Sequence, residues 1–268
     1  MNHIWNKSDI DFLIKNYPTK GTLFCANHLN IDLNKVKSKV QRMKLNLEDK
    51  TDVNLFLNIN KKEVAYVLGL IWADGNINNN NKNYYISLES ISDDLLLIEN
   101  TIMQTGNWKK YERKGRMRNN TICKNSICYR IGFKKLYELF KNYDYHIKSK
   151  TSPNKILKNI PDYLKHYFYR GIIDGDGCFY INKKNHNYQF ILSSSIEQDW
   201  NYMENLSIYL KINKYSIKRQ LTKRGNYSQF KITNKSDILK LGNYIYQNYD
   251  NIGLERKFNK YQDIIRTN

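Results

Sequence analysis

The 268 residues are 41% hydrophobic, enough for a sizeable core and too apolar for a disordered tail. Lys and Arg total 44 against 25 acids, and the net charge of +19 favours a polyanionic partner, nucleic acid ahead of a membrane surface. No apolar run reaches the roughly 18–20 residues of a spanning helix, and Asp9 and Asp11 interrupt any secretory signal.

Residues 1–45 form a first segment of three short helices. Ser8 is a candidate N-cap for a helix carrying Trp5, Phe12, Leu13 and Ile14, and Tyr17-Pro18-Thr19-Lys20-Gly21 breaks it. A second helix runs through Leu23, Phe24, Ala26 and Leu29, and a third from Asp32 to Met43. In the third, Val36 and Val40 face inward while Lys35, Lys39 and Arg42 share an outward face. A basic last helix of three suits major-groove insertion. Residues 46–60 read as a linker.

The remainder is an internal repeat, divided into residues 61–155 and 156–268. The first copy has a helix at Glu63–Ala73, a strand at Tyr84–Glu89, a helix at Asp93–Met103, strands at Trp108–Arg113 and Ile127–Phe133, and a helix from Lys134. The second has a helix at Tyr163–Gly175, strands at Cys178–Asn182 and Tyr188–Leu192, a helix at Ile196–Leu210, strands at Tyr215–Leu221 and Tyr227–Thr233, and a helix from Ser236. Asp74 and Asp176 stand 102 residues apart, as do Gly69 and Gly171, so the copies predict a pseudo-dyad. The fold class is α+β, with two αββαββα halves and a small N-terminal three-helix domain.

The strands alternate. Tyr215, Ile217 and Leu221 oppose Ser216, Lys218 and Gln220; Phe230 and Ile232 oppose Gln229 and Lys231; Tyr129 and Ile131 oppose Cys128 and Arg130. One face packs under helices, and the polar face bearing Arg130, Lys218, Gln220, Gln229 and Lys231 has the chemistry of groove readout.

The two repeat-opening helices are apolar nearly all round and so belong in the interior. Gly69 and Ala73, like Gly171 and Gly175, place small residues four apart on one face, which lets two helices meet at backbone distance. Asp74 and Asp176 then come together at two helix C-termini, where the dipoles and their mutual repulsion disfavour both charges. A divalent cation resolves both penalties. Hard oxygen donors, with the Ala73 and Gly175 carbonyls assisting, suit magnesium, with manganese as the substitute. A calcium loop counted from Asp174 fails, because its sixth and twelfth positions are Phe179 and Asn185. The four cysteines Cys25, Cys123, Cys128 and Cys178 form no C-x-x-C pair, and Cys123 and Cys128 with His146 lack a fourth zinc ligand, so free thiols in a reducing intracellular compartment are expected.

Val67–Gly75 and Tyr169–Gly177 resemble the paired motifs of single-chain LAGLIDADG homing endonucleases, over about residues 60–268. The resemblance implies two halves forming a saddle over double-stranded DNA, with Asp74 and Asp176 as magnesium-binding catalytic acids, one per strand. It also implies a basic residue beside each acid, for which Lys150 and Lys257 are the matching positions. Trp72 departs from the motif, which has an acid there. Residues 1–45 lie outside that pattern and resemble a Myb-like helix-turn-helix. The expectation is a monomeric, magnesium-dependent, site-specific endonuclease. An intein is not expected, since the chain neither starts with Cys or Ser nor ends in His-Asn. The alternatives are an RNA maturase acting on intron RNA and a non-catalytic DNA-binding regulator.

Overall fold

The computed structural model describes residues 3–45, 52–80, 83–115, 117–118, 121–122, 125–132, 134–182, 185, 187–222 and 225–267. The chain divides into two compact units, Met1–Asp52 and Val53–Asn268.

In the first unit α1 (Lys7–Leu29) starts at Asn6, whose side chain accepts from the Asp9 amide while the Asp9 carboxylate accepts from the Asn6 amide. That reciprocal cap displaces Ser8, the expected N-cap, into the first turn. Gly21, at φ 77°, kinks α1 into two helical arms within the break expected at Tyr17–Gly21. The Asp32 carboxylate opens α2 (Leu33–Arg42) by accepting from the Asn34 and Lys35 amides. Leu13, Cys25, Ala26, Ile31, Val36 and Val40 form a separate core. Arg42 is exposed, Lys35 and Lys39 are half-buried, and the Lys39 ammonium lies 5.6 Å from the Trp5 ring centroid.

The second unit begins with α3 (Asn54–Leu57), whose Phe56 is fully buried along with nearby Ile59. Both fall within the expected linker at 46–60 but belong to this unit's core. Next come α4 (Lys62–Asp74), β1 (Gly75–Asn80), β2 (Asn83–Ile91), α5 (Ser92–Leu97), α6 (Glu99–Met103) and β3 (Lys109–Arg113). A short hairpin of β4 (Met117–Arg118) and β5 (Thr121–Ile122) leads to β6 (Ser126–Ile131) and α7 (Lys134–Asn142). A 3-10 turn at Tyr145–Ile147 and α8 (Asn154–Asn159) connect the halves. The second half contains α9 (Lys165–Asp176), β7 (Gly177–Asn182), β8 (Asn187–Ser195), α10 (Asn201–Tyr209), β9 (Tyr215–Thr222), β10 (Gly225–Ile232), α11 (Lys235–Ile245) and α12 (Glu255–Arg266).

Each half therefore holds the expected αββαββα order, and the second adds α12. The antiparallel sheets run β1-β2-β6-β3 and β7-β8-β10-β9, the same order in both copies. Their inner faces bury Ile86, Leu88, Tyr129 and Ile131 in one and Phe190, Leu192, Phe230 and Ile232 in the other, in a single core continuous with α4 and α9. Leu221, expected on the inner face, is 77% exposed because β9 runs out beyond the core. Phe133, expected in a strand, and the thiol Cys123 lie outside the described residues.

Candidate active site at the paired helix ends

Helices α4 and α9 are buried from Val64 to Trp72 and from His166 to Asp174. They meet backbone to backbone. A Cβ on Gly69 would lie 2.0 Å from the Phe168 carbonyl oxygen, and one on Gly171 would lie 2.1 Å from that of Tyr66. One on Gly175 would collide with Ala73 Cβ at 2.3 Å and stand 3.0 Å from Asp74 Oδ2. The small-residue faces thus form the contact, and they bring the two acidic ends together. Each helix passes directly into a strand without a turn, because Gly75 and Gly177 are extended (φ −74° and −88°). Glycine is required there for closeness: a Cβ on Gly75 would lie 2.6 Å from the Ile71 carbonyl oxygen.

Asp74 and Asp176 keep solvent-accessible surface, but protein packed around them penalises their charged forms. That desolvation raises the Asp74 pKa, and it raises Asp176 to about 6 with help from the negative charge of Asp74. Lys148 shifts the opposite way, to about 8, for the same reason. Beside Asp176 and Lys148 opens a cleft of about 240 Å³, lined also by Ser193, Ser195, Gln198 and Tyr202. Asp176 pushed up and Lys148 pushed down beside one cleft, with Asp74 and Lys257 shifted the same ways nearby, are what desolvated functional groups look like.

The lysine placement differs from the expectation. Lys148 Nζ donates to the carbonyls of Ile71 (3.1 Å) and Ala73 (2.7 Å). Lys257 Nζ donates to those of Ile173 (2.8 Å), Asp174 (2.5 Å), Gly175 (3.4 Å) and Gly177 (2.7 Å). Ile71 and Ile173, like Ala73 and Gly175, are repeat equivalents, so Lys148 and Lys257 occupy matching positions. Lys150 does not. Its side chain is 62% exposed, and its ammonium pairs with Glu197 at 2.9 Å. The 3-10 turn makes the difference: buried Tyr145 anchors it, and the chain leaving it directs Lys148 onto α4. Sequence offset could not reveal this, because the linking segments of the two halves differ in length.

The donor set fits a hard divalent ion, since two accessible carboxylates repel each other where a cation would bridge them. Among the described residues no group of three or more His, Cys, Asp or Glu could hold a metal, so the carboxylates a cation would find here are the two aspartates. The Ala73 and Gly175 carbonyls, expected to be free to assist, each accept a lysine hydrogen bond instead. A helix-end carbonyl beside an ammonium finds its partner there first.

The polar sheet faces hold the other expected residues. Lys218 pairs with Gln229, Gln220 with Tyr227 and Lys231 with Ser216 in register, so Lys218, Gln220, Gln229 and Lys231 share one face. In the other sheet Arg130 lies opposite Ser87 and Lys109, with its guanidinium 4.9 Å from the Tyr85 ring and 5.1 Å from that of Tyr111. Sequence reasoning missed Tyr66, Arg170, Asp174 and Gln198, all buried around the helix ends. Arg170 and Asp174, charges inside an apolar helix, were the available signal.

Two fused αββαββα halves, each offering one acid and one lysine at a shared helix crossing, define a duplicated scaffold with paired half-sites. Residues 169–267 match the LAGLIDADG endonuclease family, so the resemblance read from the motifs holds where that match lies. Similar solved structures include I-SmaMI bound to uncleavable DNA with a TTCT central four (19% identity, TM-score 0.46, covering 75% of this chain and 88% of that one). I-AabMI bound to uncleaved DNA is 17% identical at a TM-score of 0.47, covering 75% and 88%. I-LtrWI bound to target DNA is 17% identical at 0.44, covering 80% and 89%. No curated protein matches the chain.

Proposed function

We propose that this protein is a site-specific double-strand DNA endonuclease that acts as a monomer with magnesium, one aspartate serving each strand. The observation that carries the reading is the pair of acids, Asp74 and Asp176, brought together at equivalent helix ends of a +19 chain, each beside a lysine that holds that end's carbonyls. Asp74 and Asp176 would hold the divalent ion, with manganese as a substitute. When bound, such an ion polarises a phosphodiester and lowers the pKa of water. Lys148 and Lys257 set positive charge beside the acids, where a phosphate gathers negative charge during cleavage. Arg130, Lys218, Gln220, Gln229 and Lys231 offer hydrogen bonds on the sheet faces for groove contacts. The N-terminal unit would add contacts through Lys35, Lys39 and Arg42.

The test uses supercoiled plasmid carrying a site selected from a random library, with magnesium present. Asp74→Asn and Asp176→Asn should each lose linear product and leave nicked circles, and the double variant should bind without cutting. Linear product from the double variant would sink the proposal. Deleting residues 1–52 should weaken binding without moving the cut.

A further inference from the structure

The aspartates and lysines repeat between the halves, but what holds the two lysines does not. In the first half Trp72 packs edge-on against Tyr145, ring centroids 5.0 Å apart, three residues before Lys148. The Tyr145 hydroxyl donates to the Leu68 carbonyl at 2.8 Å. Beyond Lys148, buried Gln198 donates from Nε2 to the Thr151 carbonyl at 2.7 Å, and Ser152 Oγ donates to the Asp199 carbonyl at 2.9 Å. The Lys148 segment is therefore held by aromatic packing and by the 198–199 turn.

In the second half the position of Trp72 is taken by Asp174, only 2% exposed. One oxygen, Oδ2, accepts from the Tyr66 hydroxyl at 2.9 Å and from the Leu254 amide at 2.8 Å. Leu254 opens α12 without a side-chain cap, and the Lys257 amide donates back to the Leu254 carbonyl at 2.9 Å. Gly253, at φ 129°, lies so close that a Cβ there would be 2.8 Å from the same Oδ2. The chain entering α12 is thus laid on the Asp174 carboxylate. The nearby Arg256–Asp94 pair is bidentate and ties the first turn of α12 to the first half, a separate support that the variants below leave intact.

We propose that Asp174 is the positioning residue of Lys257: its carboxylate fixes the Gly253–Leu254 turn from which Lys257 reaches the α9 carbonyls, and Lys148 is set independently of it. Only the consequence for strand cleavage rests on the endonuclease reading. The contact can be broken from either side. Asp174→Leu removes the acceptor. Leu254→Pro removes the donor at a residue whose φ of −82° a proline can adopt, and its ring carbon, set where the amide hydrogen lay, forces the carboxylate off the turn. Asp174→Asn keeps an acceptor oxygen and is the conservative rescue.

The readout is pulse labelling of the intact chain with acetic anhydride, each lysine quantified by mass spectrometry. In Asp174→Leu and Leu254→Pro, labelling of Lys257 should rise by roughly tenfold, the scale set by leaving one buried polar group unpaired. Lys148 should stay at the wild-type rate in both, and Asp174→Asn should stay near wild type at both lysines. Lys257 labelling that is unchanged in Leu254→Pro, or that rises only together with Lys148, overturns the proposal. In the plasmid assay the two disrupting variants should accumulate nicked circles. A wild type that cuts nothing defeats the endonuclease reading and leaves the labelling result standing. A wild type that cuts, with Lys257 unmoved in the variants, defeats the positioning role alone.

Discussion

The two halves of the larger unit share strand order and glycine contact, but their central helices fill equivalent positions with opposite chemistry. Leu68 and Trp72 line α4 where Arg170 and Asp174 line α9, all four buried. At these two positions the first helix offers apolar side chains, while its carbonyls accept from Tyr145 and Lys148. The second offers a polar network: Arg170 Nε donates to the Ile245 carbonyl at 2.7 Å and Nη1 to that of Ile252 at 2.8 Å, and Asp174 takes the Leu254 amide. Apolar packing needs volume alone, whereas the network needs each partner in place, because an orphaned buried polar group costs more than the bond it lost. The same backbone geometry therefore rests on a tolerant support in one half and an exacting one in the other.

That contrast can be broken first at what the halves share. Gly171→Val drives a side chain into the Tyr66 carbonyl and should cost more than about 3 kcal/mol; Gly69→Val should do the same from the other helix, both read as loss of the urea unfolding transition. Arg170→Leu installs the first half's residue in the second, and should cost about 2–3 kcal/mol by strip-out of its carbonyl partners. Equal stability of wild type and Arg170→Leu in urea would remove the distinction between the halves. At the lysines, Lys148→Ala should slow cleavage about 100-fold.

A smaller effect concerns pH. The Asp176 pKa is raised to about 6, above its value of 3.8 when free, so the folded state holds the extra proton between those values. Stability from this group is present below about pH 4 and is lost as pH rises through 6. Asp176→Asn should therefore unfold at higher urea than wild type at pH 7.5, with the gain vanishing near pH 4. A variant less stable than wild type at pH 7.5 would contradict the desolvation of this acid. The smallest change is expected at Lys150, whose exposed pair with Glu197 predicts that Lys150→Ala stays within about 0.5 kcal/mol and retains cleavage.

The helices and their acidic ends were legible because period, burial and small-residue spacing all act locally along the chain. The strand at Gly75–Asn80 was not: four of its six residues are asparagine, a poor strand former, and its pairing with β2 decides the matter. α12 was overlooked because its polar sequence shows its apolar face only when Tyr261 and Ile264 are seen in the core. Lys148 and Lys150 are indistinguishable by composition, and only the turn at Tyr145–Ile147 separates them. The tie between Asp174 and Leu254 spans 80 residues, beyond any local pattern.

The Tyr66 hydroxyl on Asp174 carries a consequence for the symmetry of the two halves. Its repeat equivalent is Phe168, which has no hydroxyl. A symmetric dimer assembled from two copies of the second half would seat a phenylalanine against each buried Asp174 and strip it of that donor. A dimer of two first halves would have the hydroxyl and no acid to receive it. At this position the two halves are complements, and exchanging one for a copy of the other would lose the hydrogen bond between them.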